Sequence, residues 1–235
     1  MLKVNNLNAG YGDVQVLWNM DIEIKKGAIT ALIGSNGVGK TTFLRAMAGA
    51  ITPYSGTITY DGDDITKVPQ PKRARKGIMM VPEGRQLYSG LTVEDNLMMG
   101  AYTRNDKKGV RRDLEWIYEI MPRLKERRKQ LAGTLSGGEA QMCAISRGLM
   151  AAPKLLMLDE LSLGLAPVIV DDLVKILAKI HKEQGITILL VDQDVQTALA
   201  IASSGYVIVH GHVEMSGESK ELLENPDIQK AYLGI

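Results

Sequence analysis

Three short strings carry the residue types that nucleotide chemistry needs. Residues 34–41 read Gly-Ser-Asn-Gly-Val-Gly-Lys-Thr and match the phosphate-binding pattern G-x-x-x-x-G-K-[S/T] at every fixed position. Residues 135–139 read Leu-Ser-Gly-Gly-Glu, and residues 155–160 read Leu-Leu-Met-Leu-Asp-Glu. The first string predicts a site for a nucleoside triphosphate. The acidic pair that ends the third predicts that the triphosphate is hydrolysed.

The glycine loop suits ATP because backbone N–H groups and the positive end of the following helix bind phosphate without covalent bonds. Lys40 would place its charge at the β- and γ-phosphates, and Thr41 would offer its hydroxyl to Mg²⁺. The predicted ATP-binding residues of this loop are Gly34, Ser35, Asn36, Gly37, Val38, Gly39, Lys40, Thr41 and Thr42.

Asp159 and Glu160 follow four apolar residues, so they are predicted to end a strand at the same sheet edge as the loop. Asp159 is a hard oxygen ligand and suits Mg²⁺. Glu160 suits the water that attacks the γ-phosphate, as a base or as an orienting group. A strand ending in Asp-Glu is weak evidence alone; the glycine loop makes it strong.

Ser136, Gly137, Gly138 and Glu139 are predicted to begin a helix, whose free N–H groups form a second anion site. One triphosphate does not need two such sites in one chain. The economical interpretation is that this second site binds the γ-phosphate held by another subunit.

The elements that position these strings alternate between apolar strands and helices, which predicts a mainly parallel sheet covered on both faces. Expected strands include 29–33, 78–81, 155–158 and 186–191. The opening is predicted as short strands over 2–7, 15–18 and 20–24, forming an N-terminal antiparallel subdomain. Helices are expected over the segments 41–48, 93–99, 113–121, 138–150, 168–183 and 195–202. A hairpin is expected over 206–215, with its turn at His210-Gly211-His212.

The fold class is therefore α/β, predicted as a single domain over residues 1–235. Residues 1–86 and 151–235 would form the nucleotide-binding core with the β-subdomain. Residues 87–150 would form an inserted helical subdomain that carries Leu-Ser-Gly-Gly-Glu.

Composition excludes some classes of protein. The formal net charge is +1, so bulk charge does not indicate nucleic acid, and no nucleic-acid partner is expected. Residues 72–129 hold 15 basic and 8 acidic residues, a pattern typical of a solvated helical face; a surface near anionic lipid is the alternative. Cys143 is the single cysteine and is expected in the core. The sequence shows neither a signal peptide nor an apolar run long enough to span a membrane.

The chain resembles the ATP-binding cassette (ABC) ATPases over essentially its full length. Residues 81–85, 162–167, 191–194 and Ala231-Tyr232-Leu233-Gly234 resemble one of the two ATPase subunits of bacterial branched-chain amino acid importers. Related importers of amides and urea share most of these strings, so the cargo stays open between them.

The resemblance implies further site residues. Tyr11 aligns with the aromatic residue that stacks on adenine. Glu83 and Gln193 stand where most ABC ATPases carry Gln and His, and the branched-chain subfamily resembles this chain at both positions. Glu83 would bind Mg²⁺, and Gln193 would donate a hydrogen bond to the γ-phosphate. With Lys40 and Glu160, Gln193 completes the predicted catalytic set.

Three departures from the family pattern predict slower or weaker activity. Leu161 replaces a Pro, and Ala140 replaces a Gln. Gly148 replaces an Ala within a helix and is expected to cost up to about 1 kcal/mol.

The resemblance also implies partners: a second ABC ATPase subunit, two transmembrane permease subunits and an extracytoplasmic substrate-binding protein. The expected location is peripheral, on the cytoplasmic face of the inner membrane. Three alternatives remain at this stage: a soluble ABC ATPase in repair or translation, an ATP-binding regulatory clamp, and a GTP-dependent switch. The switch lacks the Asn-Lys-x-Asp string that reads guanine.

Overall fold

The computed structural model describes residues 1–230. Its strands are β1 (Leu2–Tyr11), β2 (Val14–Ile24), β3 (Ile29–Ile33), β4 (Ser55–Tyr60), β5 (Asp63–Asp64), β6 (Ile78–Val81), β7 (Leu155–Asp159), β8 (Thr187–Asp192), β9 (Ser204–Val209) and β10 (His212–Glu218). Its α-helices are α1 (Lys40–Ala48), α2 (Gln70–Arg75), α3 (Val93–Gly100), α4 (Lys107–Ile120), α5 (Pro122–Glu126), α6 (Gly137–Leu149), α7 (Pro167–Gln184), α8 (Val195–Ile201), α9 (Ser219–Glu224) and α10 (Pro226–Ile228). The string Ala231-Tyr232-Leu233-Gly234 lies outside the described residues.

The larger sheet positions the predicted chemistry. Its strand order is β10-β9-β3-β8-β7-β6, and every pair except β9–β10 is parallel. All residues of β3, β7 and β8 are buried, as expected for parallel strands covered on both faces. The carboxyl ends of β3, β7 and β8 therefore bring the glycine loop, the acidic pair and residues 192–193 to one edge of the sheet.

The smaller sheet has the order β2-β1-β4-β5 and is antiparallel. It packs on α1 and on one face of the large sheet, in a core that includes Leu7, Leu17, Phe43 and Ile58. The predicted α/β fold with an N-terminal antiparallel sheet is thereby confirmed.

Helices α3 to α6 lie between β6 and β7 in the chain, within the segment 87–150 predicted as a helical subdomain. Their apolar side chains do not form a separate core. Leu97, Cys143 and Ile145 belong to the same buried cluster as Leu156 and Leu190 of the large sheet. The division at residues 87 and 150 stays a prediction. Within residues 1–230, no helix is long and apolar enough to cross a membrane.

Several element boundaries differ from the sequence prediction. Residues 14–24 form one strand rather than two, because Asn19 adopts a φ of 46° and its N–H donates to Asn8 Oδ1. The strand therefore continues through an irregularity at Asn19, the position where the alternation of apolar and polar residues is interrupted. Helix α4 begins at Lys107 rather than at Asp113. Arg104, which donates to both Asp106 and Asp113, fixes this first turn.

The sequence does not predict helix α2, because Gln70–Arg75 lacks the repeated apolar residues that mark the buried face of a helix. In the structure a single residue of this helix is buried. That residue is Arg73, which is 1% exposed. Its guanidinium donates to the carbonyls of Ala46 and Met47 at 2.8 and 2.9 Å, and so satisfies the end of α1. Helix α5 was missed as well.

Two other predictions are confirmed. His210 and Gly211 both have positive φ, 47° and 79°, and form the tight turn between β9 and β10. Cys143 is buried, and burial raises the pKa of its thiol to about 11. The thiol is therefore core packing and stays protonated near neutral pH.

Candidate nucleotide site

The glycine loop adopts a conformation that depends on its glycines. Gly37 and Gly39 have φ values of 80° and 110°, in the region that side chains disfavour. A Cβ on Gly34 would lie 2.6 Å from the carbonyl oxygen of Ile208, so the loop could not approach β9 with any larger residue. Strand β3 leads directly into the loop, and α1 begins at its end. This strand–loop–helix order is the context that the phosphate-binding pattern requires.

Lys40 turns its side chain back into the loop and is 4% exposed. Its Nζ donates to the carbonyls of Gly34 at 2.7 Å and Ser35 at 3.0 Å. It also lies 3.2 Å from Glu160 Oε1. The ammonium is thus held where the loop backbone converges, and a phosphate oxygen could replace one of these partners.

Glu160 occupies the first position after β7 with a φ of 54°, a conformation uncommon for a residue with a side chain. Its N–H donates to the carbonyl of Val191 on the neighbouring strand. Gln193 Nε2 donates to Oε2 at 3.0 Å, while Lys40 holds Oε1. Glu160 as a residue is 7% exposed, and its carboxylate is held from both sides. Such a group can orient a water or accept its proton.

Asp159 and Thr41 meet beside this pair. Thr41 Oγ1 donates to Asp159 Oδ1 at 3.3 Å, whereas Oδ2 is buried without a hydrogen-bond partner. Burial, and secondarily the charges of Glu160 and Glu83, raises the pKa of Asp159 to about 6. An unpartnered carboxylate oxygen beside a hydroxyl is what a hard divalent cation would use. The donor set therefore fits Mg²⁺.

Glu83 follows β6 and is exposed. It lines a cleft of about 470 Å³ together with Lys40, Thr41, Glu160 and Gln193. We call this the phosphate-loop cleft; its remaining lining residues are Val16, Asn36, Gly37, Gly39, Thr42 and Leu163. The structure thus brings together the predicted catalytic residues, most of the loop, and Glu83.

Tyr11 lies at the end of β1, next to α1, with its side chain 42% exposed. Its hydroxyl accepts from Arg45 at 3.0 Å and from Thr42 at 3.4 Å. The Arg45 guanidinium lies 5.9 Å from the ring centroid. The ring stands beside the phosphate loop without lining the cleft, and stacking on adenine stays a prediction.

The Leu-Ser-Gly-Gly-Glu string begins α6, as the sequence predicts. Ser136 caps the helix, its Oγ accepts from the N–H of Glu139, and Glu139 Oε2 accepts from the N–H of Ser136. Arg127 pairs with Glu139 at 2.5 Å. Hydrogen bonds from Ser136 and the charge of Arg127 outweigh partial burial and lower the pKa of Glu139. None of residues 136–139 lines the phosphate-loop cleft.

Asp192 is a site residue to which the sequence reasoning gave no role. It is fully buried at the end of β8. Its carboxylate accepts from the N–H and Oγ of Ser162 and from the N–H groups of Gln193 and Asp194, at 2.7–3.1 Å. It therefore ties the loop after Glu160 to the loop that holds Gln193. An acidic residue that ends an otherwise apolar strand is the signal that could have found it.

Two of the departures from the family pattern have structural counterparts. Leu161, the residue after Glu160, is fully buried and packs in the main core. Its side chain therefore holds the backbone next to Glu160 in place. A Cβ on Gly148 would lie 2.8 Å from Val81 Cγ2 and 3.3 Å from Leu156 Cδ1. The glycine thus lets α6 approach β6 and β7 closely. The structure gives no account of Ala140.

The chain is similar to known proteins both in sequence and in fold. A family model described as ABC transporter matches residues 17–162. The high-affinity branched-chain amino acid transport ATP-binding protein BraG of Pseudomonas aeruginosa is 44% identical over 234 residues, covering 100% of both chains. The probable branched-chain amino acid transport ATP-binding protein LivF of Archaeoglobus fulgidus is 39% identical, covering 100% of this chain and 99% of that protein. The structure of cbiO1 from Clostridium perfringens, part of an ABC transporter complex, superposes with a TM-score of 0.86 at 30% identity, covering 99% and 94% of the chains.

Proposed function

The chain belongs to the ABC transporter family of ATP-binding proteins, and we propose that it is the ATP-hydrolysing motor subunit of an importer for branched-chain amino acids. The observation that carries the ATPase role is the meeting of Lys40, Asp159, Glu160 and Gln193 at one sheet edge. Full-length similarity to BraG and LivF supports the cargo.

The residues of the phosphate-loop cleft divide the work of hydrolysis. The loop N–H groups and Lys40 bind the phosphates and offset charge on the γ-phosphoryl group as it transfers. Glu160 orients the attacking water and accepts its proton. Gln193 holds Glu160 through a hydrogen bond of 3.0 Å and, being an amide, keeps its role without titrating.

Thr41, Asp159 and Glu83 would hold Mg²⁺. The ion, when bound, neutralises phosphate charge. Asp159 supplies an oxygen that has no other partner, and Thr41 supplies the adjoining hydroxyl. Glu83, which lines the same cleft as Thr41, would add a third oxygen; without the ion its charge would oppose that of the phosphate.

Two ATP-binding subunits act together in this proposal. Ser136, Gly137, Gly138 and Glu139 begin a helix outside the phosphate-loop cleft of their own chain. The capping bonds between Ser136 and Glu139 use the N–H groups of those two residues and leave the N–H groups of Gly137 and Gly138, which suit the γ-phosphate of an ATP bound to a second ABC ATPase subunit. Closure of the pair would sandwich two ATP molecules, with Tyr11 stacked on the adenine, and hydrolysis would reopen it.

The motion of the pair would reach two permease subunits through the groove between Glu83 and the helical subdomain, residues 87–150. The subunit would therefore sit on the cytoplasmic face of the inner membrane, with an extracytoplasmic binding protein delivering cargo from the other side. Residues 1–86 and 151–235 form the nucleotide-binding core in this proposal.

A pull-down tests this assignment. Tagged Glu160→Gln chain is recovered from detergent-solubilised host membranes with Mg·ATP, and bound proteins are identified by mass spectrometry. We expect two polytopic proteins and a second ATP-binding subunit. The same chain with Mg·ADP is the control and should recover less. Recovery of soluble partners alone would contradict the transport role and favour a non-transport ABC ATPase.

The cargo is tested on a complex of the recovered partners with the wild-type chain, which keeps Glu160. Reconstituted into vesicles with ATP inside and the binding protein outside, it should accumulate labelled leucine. Accumulation of urea or of a short amide, without leucine, would contradict the branched-chain assignment and leave the importer role intact.

A further inference from the structure

The loop after β6 has an unusual backbone that α6 holds in place. Gly84, Arg85 and Gln86 are consecutive and have φ values of 74°, 65° and 43°. Two of them carry side chains, which disfavour this conformation unless their surroundings hold it. Arg147 of α6 donates to the carbonyls of Gln86 at 2.7 Å and of Arg85 at 3.1 Å. The loop is therefore fixed to α6.

This backbone sends the Arg85 side chain toward two other segments. Nε donates to Gln141 Oε1 at 3.2 Å, one turn into α6, and one terminal nitrogen donates to the Leu163 carbonyl at 3.3 Å. A Cβ on Gly137 would lie 3.6 and 3.7 Å from the two terminal nitrogens, so the guanidinium lies against the first turn of α6. Among residues 1–230, no carboxylate lies within salt-bridge distance of it.

The three connected segments take part in different halves of the proposed reaction. Glu83 and Leu163 line the phosphate-loop cleft, which would hold the chain's own ATP. Gly137 belongs to the Leu-Ser-Gly-Gly-Glu turn, which would grip the ATP of the second subunit. Arg85 is the side chain that reaches from the loop bearing Glu83 to both Leu163 and Gln141.

We propose that Arg85 is a positioning residue that couples nucleotide binding in the chain's own cleft to the position of the turn that serves the other cleft. This role rests on the proposed function. The guanidinium fork suits it because two donors on a rigid plane reach two acceptors at once, whereas an ammonium is a single point. Movement of Glu83 toward a bound nucleotide would thereby be transmitted to the first turn of α6.

Amide hydrogen exchange on the whole chain tests the coupling, with Mg·AMP-PNP as the ligand and at a protein concentration where the chain is monomeric. In the wild type we expect the ligand to slow exchange at residues 34–42 and to change exchange at residues 136–142. In Arg85→Asn, protection at 34–42 should persist, and the change at 136–142 should fall about fivefold. Asn tolerates the positive φ of this position, so the backbone is not the variable.

Three further variants separate positioning from simple stability. Arg112→Asn removes an exposed guanidinium whose one ion-pair partner within residues 1–230 is its neighbour Asp113, and this variant should behave as wild type. Arg85→Lys keeps the charge and should still lose the response. Gln141→Met keeps the side-chain length without the acceptor, and the double variant Arg85→Asn with Gln141→Met should lose no more than either single one.

Each outcome decides. An undiminished response at 136–142 in Arg85→Asn, or full rescue by Arg85→Lys, would overturn the coupling role and leave the ATPase assignment standing. Absence of ligand protection at 34–42 in the wild type would overturn the proposed function, and the coupling role with it.

Discussion

Lys40 Nζ and Glu160 Oε1 are 3.2 Å apart, with side chains only 4% and 6% exposed. The residue that would bind phosphate and the residue that would activate water are therefore each other's counter-charge. A buried pair of this kind is costly to break from one side only, because the remaining charge loses its partner. An incoming γ-phosphate would compete with Glu160 for the ammonium and would repel the carboxylate.

This competition predicts that Glu160→Gln binds nucleotide more tightly than the wild type. The amide frees the Lys40 charge for the phosphate and removes the repulsion. We expect the Kd of Mg·AMP-PNP to fall about tenfold, equivalent to roughly 1.4 kcal/mol, measured by isothermal titration calorimetry. Glu214→Gln, an exposed change on β10, is the matched control. An unchanged or higher Kd in Glu160→Gln would contradict the competition.

Asp159 makes stability depend on pH in the opposite sense to an ordinary paired carboxylate. Burial first, then Glu160 and Glu83, raises its pKa to about 6, above the unfolded value. Its ionised form is therefore unfavourable in the folded chain above pH 6, and protonation relieves the penalty as the pH falls. Asp159→Asn in EDTA should raise the Tm at pH 7.5 and have a smaller effect at pH 5, measured by calorimetry.

The same variant should lose the benefit of Mg²⁺ for ATP binding, since the amide supplies no charge to the ion. Equal Tm gains at both pH values would contradict the raised pKa of Asp159.

Gly148 is predicted to resist replacement by the better helix former. Ala would gain about 1 kcal/mol of helix propensity but would place its Cβ 2.8 Å from Val81 Cγ2. Overpacking of this kind costs about 1–3 kcal/mol, so Gly148→Ala should be neutral or destabilising by up to about 2 kcal/mol in urea unfolding.

Val81→Ala supplies the matched test for that clash. In the Val81→Ala background, Gly148→Ala should be less destabilising than in the wild type, because the missing methyl groups leave room. A clear gain of stability from Gly148→Ala in the wild-type background would mean that α6 does not need this close approach.

The proposed pairing of subunits predicts that slow hydrolysis traps the closed state. Glu160→Gln with Mg·ATP should form a dimer, with itself or with the second ATP-binding subunit recovered from membranes. Size-exclusion chromatography with light scattering measures the mass. Mg·ADP should leave the 25.7 kDa chain monomeric. A monomer with Mg·ATP in the presence of the second subunit would contradict the sandwich.

The fold and the centre of the site could be predicted because local patterns determine them. The buried runs of β3, β7 and β8 give the parallel strands, and the glycine loop and Asp159-Glu160 fall at their ends. Roles that depend on contacts between distant segments could not be predicted. Asp192 acts through Ser162, 30 residues away, and Arg85 acts through Gln141, 56 residues away. Arg73 is buried only because the end of α1 needs its donors.

The position of Gly148 illustrates the same limit. In the sequence it is a poor helix former, and helix propensity alone predicts a loss of stability. In the structure it faces Val81 and Leu156, so the cost in propensity accompanies close packing of α6 on the sheet. Helix propensity depends on neighbouring residues in the sequence, whereas the contact of Gly148 joins α6 to strands β6 and β7, which are distant in the sequence.

Steady-state ATP turnover by the purified wild-type chain and its Glu160→Gln variant tests the central claim most directly, with ATP binding measured alongside. The wild type should hydrolyse ATP. Glu160→Gln should bind ATP and lose turnover by a factor of about 100 or more, since the positioned base is removed. Unchanged turnover in Glu160→Gln would contradict the assignment of Glu160, and absence of turnover in the wild type and in its complex would contradict the ATPase itself.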